Sequence, residues 1–178
     1  MKRLAKLFGG VAIALGVAAA AISAETRKQD PKPEADPAVE RARKFVRTVD
    51  DIYKRAIVLI TDKYVHNEDD FPAGSAAVRL FEDISKGGSH QVRLIDVTGE
   101  PYVETNVAKT PFEKEGVKRL QGGESYFDQV AEAGGKRELR AMTAVPVVMQ
   151  KCVMCHPHYK DVKPGAAIGA ISYVVPIE

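Results

Sequence analysis

Leu139-Arg140-Ala141-Met142-Thr143-Ala144-Val145-Pro146-Val147-Val148 leads, after three intervening residues, into Cys152-Val153-Met154-Cys155-His156. The first part carries β-branched and apolar residues, which suit a strand from about Glu138 to Val148. The second part holds the only two cysteines of the 178-residue chain. Their spacing, C-x-x-C-H, is the sequence form of c-type haem attachment. Two thiols add across the two vinyl groups of haem, two residues span the gap, and the following histidine supplies a proximal imidazole to iron. Cys152 and Cys155 are therefore the candidate thioether residues and His156 the candidate iron ligand.

Three other readings compete. A structural disulfide suits an oxidising compartment. A thioredoxin-like redox motif is expected beside a βαβ pattern, which this sequence lacks. A zinc site from Cys152, Cys155, His156 and His158 would crowd four ligands into seven residues, whereas structural zinc draws on two separated pairs.

Downstream, Ala167 to Ile177 reads as the last strand. Upstream, Gly134-Gly135 marks a turn and Ser125 to Val130 a short strand. Thr110-Pro111-Phe112-Glu113 is a capping box with proline at the first helical position, opening a helix that stops before Gly122-Gly123. Gln91 to Thr98 forms another strand. Ser75 to Lys86 has apolar residues on one side and ends at Gly87-Gly88, as a helix should. Asp36-Pro37 opens a long helix, Pro37 to Val65, whose stripe is Ala38, Ala42, Phe45, Val49, Ile52, Ala56 and Leu59, widened by Val46, Tyr53 and Ile60. That stripe packs on its own domain or pairs with a second copy in a homodimer. Helices first, then strands with short connections, predict an α+β domain with a mostly antiparallel sheet over residues 36–178.

The start of the chain has a different character. Lys2, Arg3 and Lys6 precede an apolar run from Leu7 to Ile22, and polarity begins at Glu25, the layout of a secretory signal peptide over residues 1–24. Cleavage after Ala24 or Ala21 fits. The alternative is an uncleaved membrane anchor, against which the run is short. Residues 25–35, with Pro31 and Pro33, read as a flexible linker. Removing the three leader cations takes the formal charge from +2 to −1, so no basic stripe argues for nucleic acid. The product is expected to be periplasmic and soluble after cleavage.

The sixth iron position has the side-chain candidates His66, His90, His158, Met142, Met149 and Met154. His158 lies two residues past the proximal ligand, Met154 is a spacer, Met142 and Met149 suit core packing, and His90 suits an exposed turn. His66, at the end of the long helix, is favoured, with water or an empty site as the alternative. For the haem propionates, Arg140 is the candidate partner, with Lys151, Lys160 and Lys163 behind it.

The run 139–148, the C-x-x-C-H motif, Tyr159, Gly165, Ile168-Gly169-Ala170-Ile171-Ser172 and Val175-Pro176-Ile177 together resemble a family of c-type haem domains with a PAS-like fold, first characterised in a soluble cyanobacterial haem protein. Asn106 and Pro111-Phe112-Glu113 resemble, more loosely, that family's Asn-rich stretch before a glutamate. The likeness spans Val46 to the C-terminus. It implies a five-stranded antiparallel sheet flanked by helices, with one covalent haem held against it. Some members use a cysteine as distal ligand, and this chain has none to spare. The expected role is electron transfer to a redox partner protein, or sensing of redox state or a small diatomic ligand. No distal acid–base pair suggests a peroxidase. Without haem, the fallback is a PAS-like binding domain with a disulfide.

Overall fold

A computed structural model describes residues 35–67 and 69–178. The expected leader, and all but Ala35 of the expected linker, lie outside the described residues. Helix α1 spans Pro37–Tyr64 and starts as its sequence dictates: the Asp36 carboxylate accepts from the Ala38 N–H at 2.9 Å, with proline next. It ends at Val65, whose extended backbone caps it. Helix α2 covers Ala73–Lys86, starting two residues earlier than the pattern suggests, and stops at Gly87. Strand β1 is Gln91–Asp96. Helix α3, Pro111–Gln121, carries the full reciprocal capping box between Thr110 and Glu113.

Strands β2 (Tyr126–Ala133) and β3 (Lys136–Pro146) form a hairpin. Gly134 and Gly135 make its two-residue turn with φ of +58° and +73°. Positive φ at both central positions is what the strand twist demands of such a turn, and glycine adopts it without a Cβ penalty. Strand β4 is Ala167–Pro176. The sheet is fully antiparallel in the order β1-β4-β3-β2.

Alternation along the strands gives the sheet two apolar faces. Leu139, Ala141, Ile171, Tyr173 and Val92 face α1 and α2, burying Val46 and Phe81 with them. Ile95, Met142 and Ala170 face α3, through Phe112 and Leu120. The result is a three-layer α+β domain. No described helix is long and apolar enough to cross a membrane.

Two expectations change. The sheet has four strands among the described residues, not five. The longest stretch without regular structure, residues 97–110, is turns and bends: the Asp96 carboxylate accepts from Gly99 N–H at 2.7 Å and from the Thr98 hydroxyl at 2.7 Å, curling the chain away from the sheet. The second change concerns the rotation of α1. Ile52 and Leu59, expected in the stripe, are 56% and 57% exposed, while Val39, Ala42 and Val46 are buried. Specific polar bonds set the rotation. Arg43 grips Asp128 of β2 through two bonds of 2.8 and 3.0 Å. Asp50 accepts from Thr143 at 2.6 Å and from Tyr173 at 3.0 Å.

Candidate functional site

Antiparallel pairing brings three strand ends together. Asp96 of β1 is opposite Gly169 of β4, and Ala167 of β4 is opposite Pro146 of β3. Residues 147–166 connect β3 to β4 at this same end. They contain a short helix, α4 (Lys151–Cys155), and a 3-10 turn, Pro157–Asp161. Neither helical piece was expected from the sequence; both are too short for a periodic signal.

Between this connection and the sheet end lies a half-open cleft of about 240 Å³. The C-terminal half of α1 lines it with Ile57, Val58, Thr61 and Val65. The start of α2 adds Ala73 and Ala77. The sheet adds Leu94, Ile95, Val145, Pro146 and Ile168, and the loop before α3 adds Tyr102, Val103 and Asn106. Cys152, Cys155 and His156 complete the lining. Both thiols are free and half-buried. A separation of three residues on a helix puts them on one face, and His156 follows as the helix C-cap.

His156 is held by aromatic packing. Tyr159 stacks on its ring at 4.5 Å between centroids, and Tyr102 meets it edge-on at 5.6 Å. Burial holds its pKa below the ordinary histidine value, helped by neighbouring His158 and opposed by Asp96. The ring is therefore neutral near pH 7, the form that donates a lone pair to a metal. Burial also pushes the Tyr159 phenol up to about 12. His158 has a buried Nε2 with no partner among the described residues, and its Nδ1 lies 3.7 Å from Glu100.

One lysine fixes α4 in place. The Lys151 ammonium donates to the Asp62 and Val65 carbonyls at 2.7 Å each, and more weakly to Thr61 at 3.4 Å. These lie at the C-terminal end of α1, where carbonyls lack helical partners and the dipole favours a cation. Lys151→Met should cost about 1–2 kcal/mol in a urea melt, since charged hydrogen bonds to partly buried acceptors are lost. A loss below about 0.5 kcal/mol would show that water replaces the ammonium freely.

The remaining candidates fall elsewhere. Arg140 does not line the cleft; it pairs with Glu138 two residues away on its own strand at 2.6 Å. Lys151 is engaged with α1, and Lys160 and Lys163 are exposed and outside the lining. His66 is exposed beyond the end of α1 and does not line the cleft. His90, expected to be exposed, is 5% exposed and bonded to Tyr53 and Ser89 at 3.0 Å each, outside the lining. Met142 is fully buried on the α3 face. Met154 does not line the cleft. Met149 does, but on the segment entering α4, where its carbonyl accepts from the Cys152 N–H. Sequence reasoning missed Lys54, a lining residue that pairs with Asp50 at 2.9 Å. It also missed Arg93, which positions the Tyr102–Asn106 wall by donating to the Thr105 and Val107 carbonyls. An Arg on a strand and a Lys on a helix carry no local signal of such roles.

A family model described as Tll0287-like matches residues 27–176. The fold is similar to the crystal structure of the cyanobacterial heme-protein Tll0287, with a TM-score of 0.55 and 13% identity, over 80% of this chain and 97% of that one. At that identity the likeness concerns the fold. No curated protein matches the sequence.

Proposed function

This chain belongs to the Tll0287-like family, and from that premise we propose that it is an exported protein carrying one haem, bound covalently through Cys152 and Cys155 and ligated by His156. One observation carries the reading: two free thiols one helical turn apart and a neutral imidazole all line the same apolar cleft. The donor set fits the group. The walls are chiefly aliphatic, as a porphyrin face requires. Of the charged lining residues, Lys151 is tied to α1 and Asp96 to Thr98 and Gly99, and Lys54 pairs with Asp50 through one of its donors. When bound, haem supplies a redox-active iron whose potential the surrounding protein tunes. The chain's own residues do the rest. Tyr159 and Tyr102 orient the imidazole, Lys151 holds α4 against α1, and Ile57, Val58 and Val145 exclude water from the cleft.

Between carrying electrons and sensing a small ligand, the lining favours sensing. Among the described residues, the walls contributed by α1, α2, the sheet and the 102–106 loop hold no imidazole, thioether or thiolate. With no such donor on those walls, a bound haem would keep a position open to exchange with a diatomic molecule such as CO or NO, provided that the Lys54 amine and the Tyr102 phenol stay with their present surroundings. The test is an absorption spectrum of the exported product from cells competent in cytochrome maturation. Adding CO to the reduced protein should move the Soret band. A haem-bearing protein whose band stays put under CO and NO would assign it to electron transfer instead.

A further inference from the structure

Lys54 and Pro146 belong to two cavities at once: the apolar cleft, and a polar pocket beside it lined by Arg47, Asp50, Ser125, Tyr126 and Thr143. Lys54 lies seven residues before Thr61, the first α1 residue that Lys151 reaches. At 1.5 Å per residue that is about 10 Å along α1 from the point where α4 is tied down. Resting on the haem reading above, this fixes a direction. The vinyl groups that become thioethers and the two propionates sit on opposite edges of the macrocycle. With the thioether edge held by Cys152 and Cys155, the carboxylate edge is the one farthest from those cysteines. The cation at the far end of the cleft is Lys54, and the next beyond it is Arg47.

We propose that Lys54 and Arg47 bind the cofactor's propionate carboxylates at the junction of the two cavities. Lys54 spends one ammonium donor on Asp50, leaving two for a second carboxylate. Arg47 lies over the Tyr126 ring at 5.7 Å, and no carboxylate among the described residues forms an ion pair with it. Its planar fork is free to take a carboxylate in two parallel bonds. Asp50, the one anion lining the pocket, is occupied by Thr143, Tyr173 and Lys54, which blunts its repulsion. Tyr126 donates its phenol proton to Asp128 and so is held on that side of the pocket.

The test compares the full chain with Arg47→Leu, Lys54→Met and the charge-keeping Lys54→Arg, all produced with haem maturation. Intact mass first establishes attachment. Resonance Raman then reads the propionate-bending band, and a redox titration reads the midpoint potential. Arg47→Leu and Lys54→Met should each shift the band and lower the midpoint, because removing a nearby cation favours the more positive ferric state. Lys54→Arg should restore both. Should Lys54→Met fail to fold, Arg47→Leu, whose side chain is exposed, decides alone. A haem-bearing wild type whose band and midpoint are unmoved in the variants overturns this proposal only. A wild type without the added mass overturns the haem reading and this proposal together.

Discussion

Replacing both Cys152 and Cys155 with alanine should abolish the covalent attachment proposed above, so that the purified chain has the mass of bare polypeptide and any haem extracts into acidic organic solvent. The prediction rests on α4. Its five residues place both thiols on the rim of one cleft, and no other cysteine exists to substitute. Each single variant should keep one thioether and a reduced yield. His156→Ala is expected to keep both thioethers yet change the spin state, since the tether and the iron ligand are separate groups. Tyr159 and Tyr102 would then face a gap where the ring stood. Retention of a covalent haem in the double variant would end the thioether reading outright. Equal, haem-free masses for wild type and variant would favour the disulfide-bearing binding domain instead.

The second large effect concerns stability. Glu113→Ala should cost about 3 kcal/mol, seen as a lower denaturation midpoint with an unchanged slope. Glu113 is only 5% exposed. Its carboxylate accepts from Arg93 at 2.9 and 3.0 Å, and from the Lys109 and Thr110 N–H groups at 2.8 and 3.0 Å. Removing it strands two backbone donors and leaves a partly buried guanidinium without its partner, each costing more than a surface pair is worth. Arg93 is 30% exposed, which places the estimate at the low end of the range for broken buried pairs. Arg93 also holds the wall that carries Tyr102 and Asn106 into the cleft, so the variant should weaken haem retention as well. A loss under 1 kcal/mol would show that water satisfies these donors.

The same group sets an acid limit. Burial raises the Glu113 pKa, but the Thr110 and Lys109 amides and Arg93 outweigh it and hold the carboxyl below its ordinary value of 4.5. A depressed folded value means the stabilisation is complete above the unfolded pKa. It is lost as pH falls from about 4.5 through the folded value. Wild-type stability should therefore decline over that window, and Glu113→Gln should flatten the decline.

Local chemistry was legible in the sequence. Asp36 and Thr110 cap the helices that follow them because a cap needs only neighbouring N–H groups. Gly134-Gly135 turns its hairpin because two positive φ angles admit little else. The C-x-x-C-H spacing is a property of one short helix, so His156 and the cysteines converge wherever α4 sits. The α+β class followed from the order of periodic segments.

Placement across the chain was not legible, because it depends on which surfaces meet. Two adjoining apolar stripes run along α1, and periodicity cannot say which one the sheet receives; Arg43 and Asp50 choose it through partners far along the chain, 85 residues away for Asp128, 93 for Thr143 and 123 for Tyr173. Arg140 and His66 are near the motif or a helix end in sequence, yet neither lines the cleft, and Arg140 pairs with Glu138 on its own strand. Lys151 was one of several surface cations until folding set it against the bare carbonyls of α1. The residues alone thus determined the C-x-x-C-H spacing, the caps and the turns, all of them local to a few neighbouring residues. Only the tertiary structure decided the walls of the cleft and the cations around it, because those are fixed by contacts between distant segments.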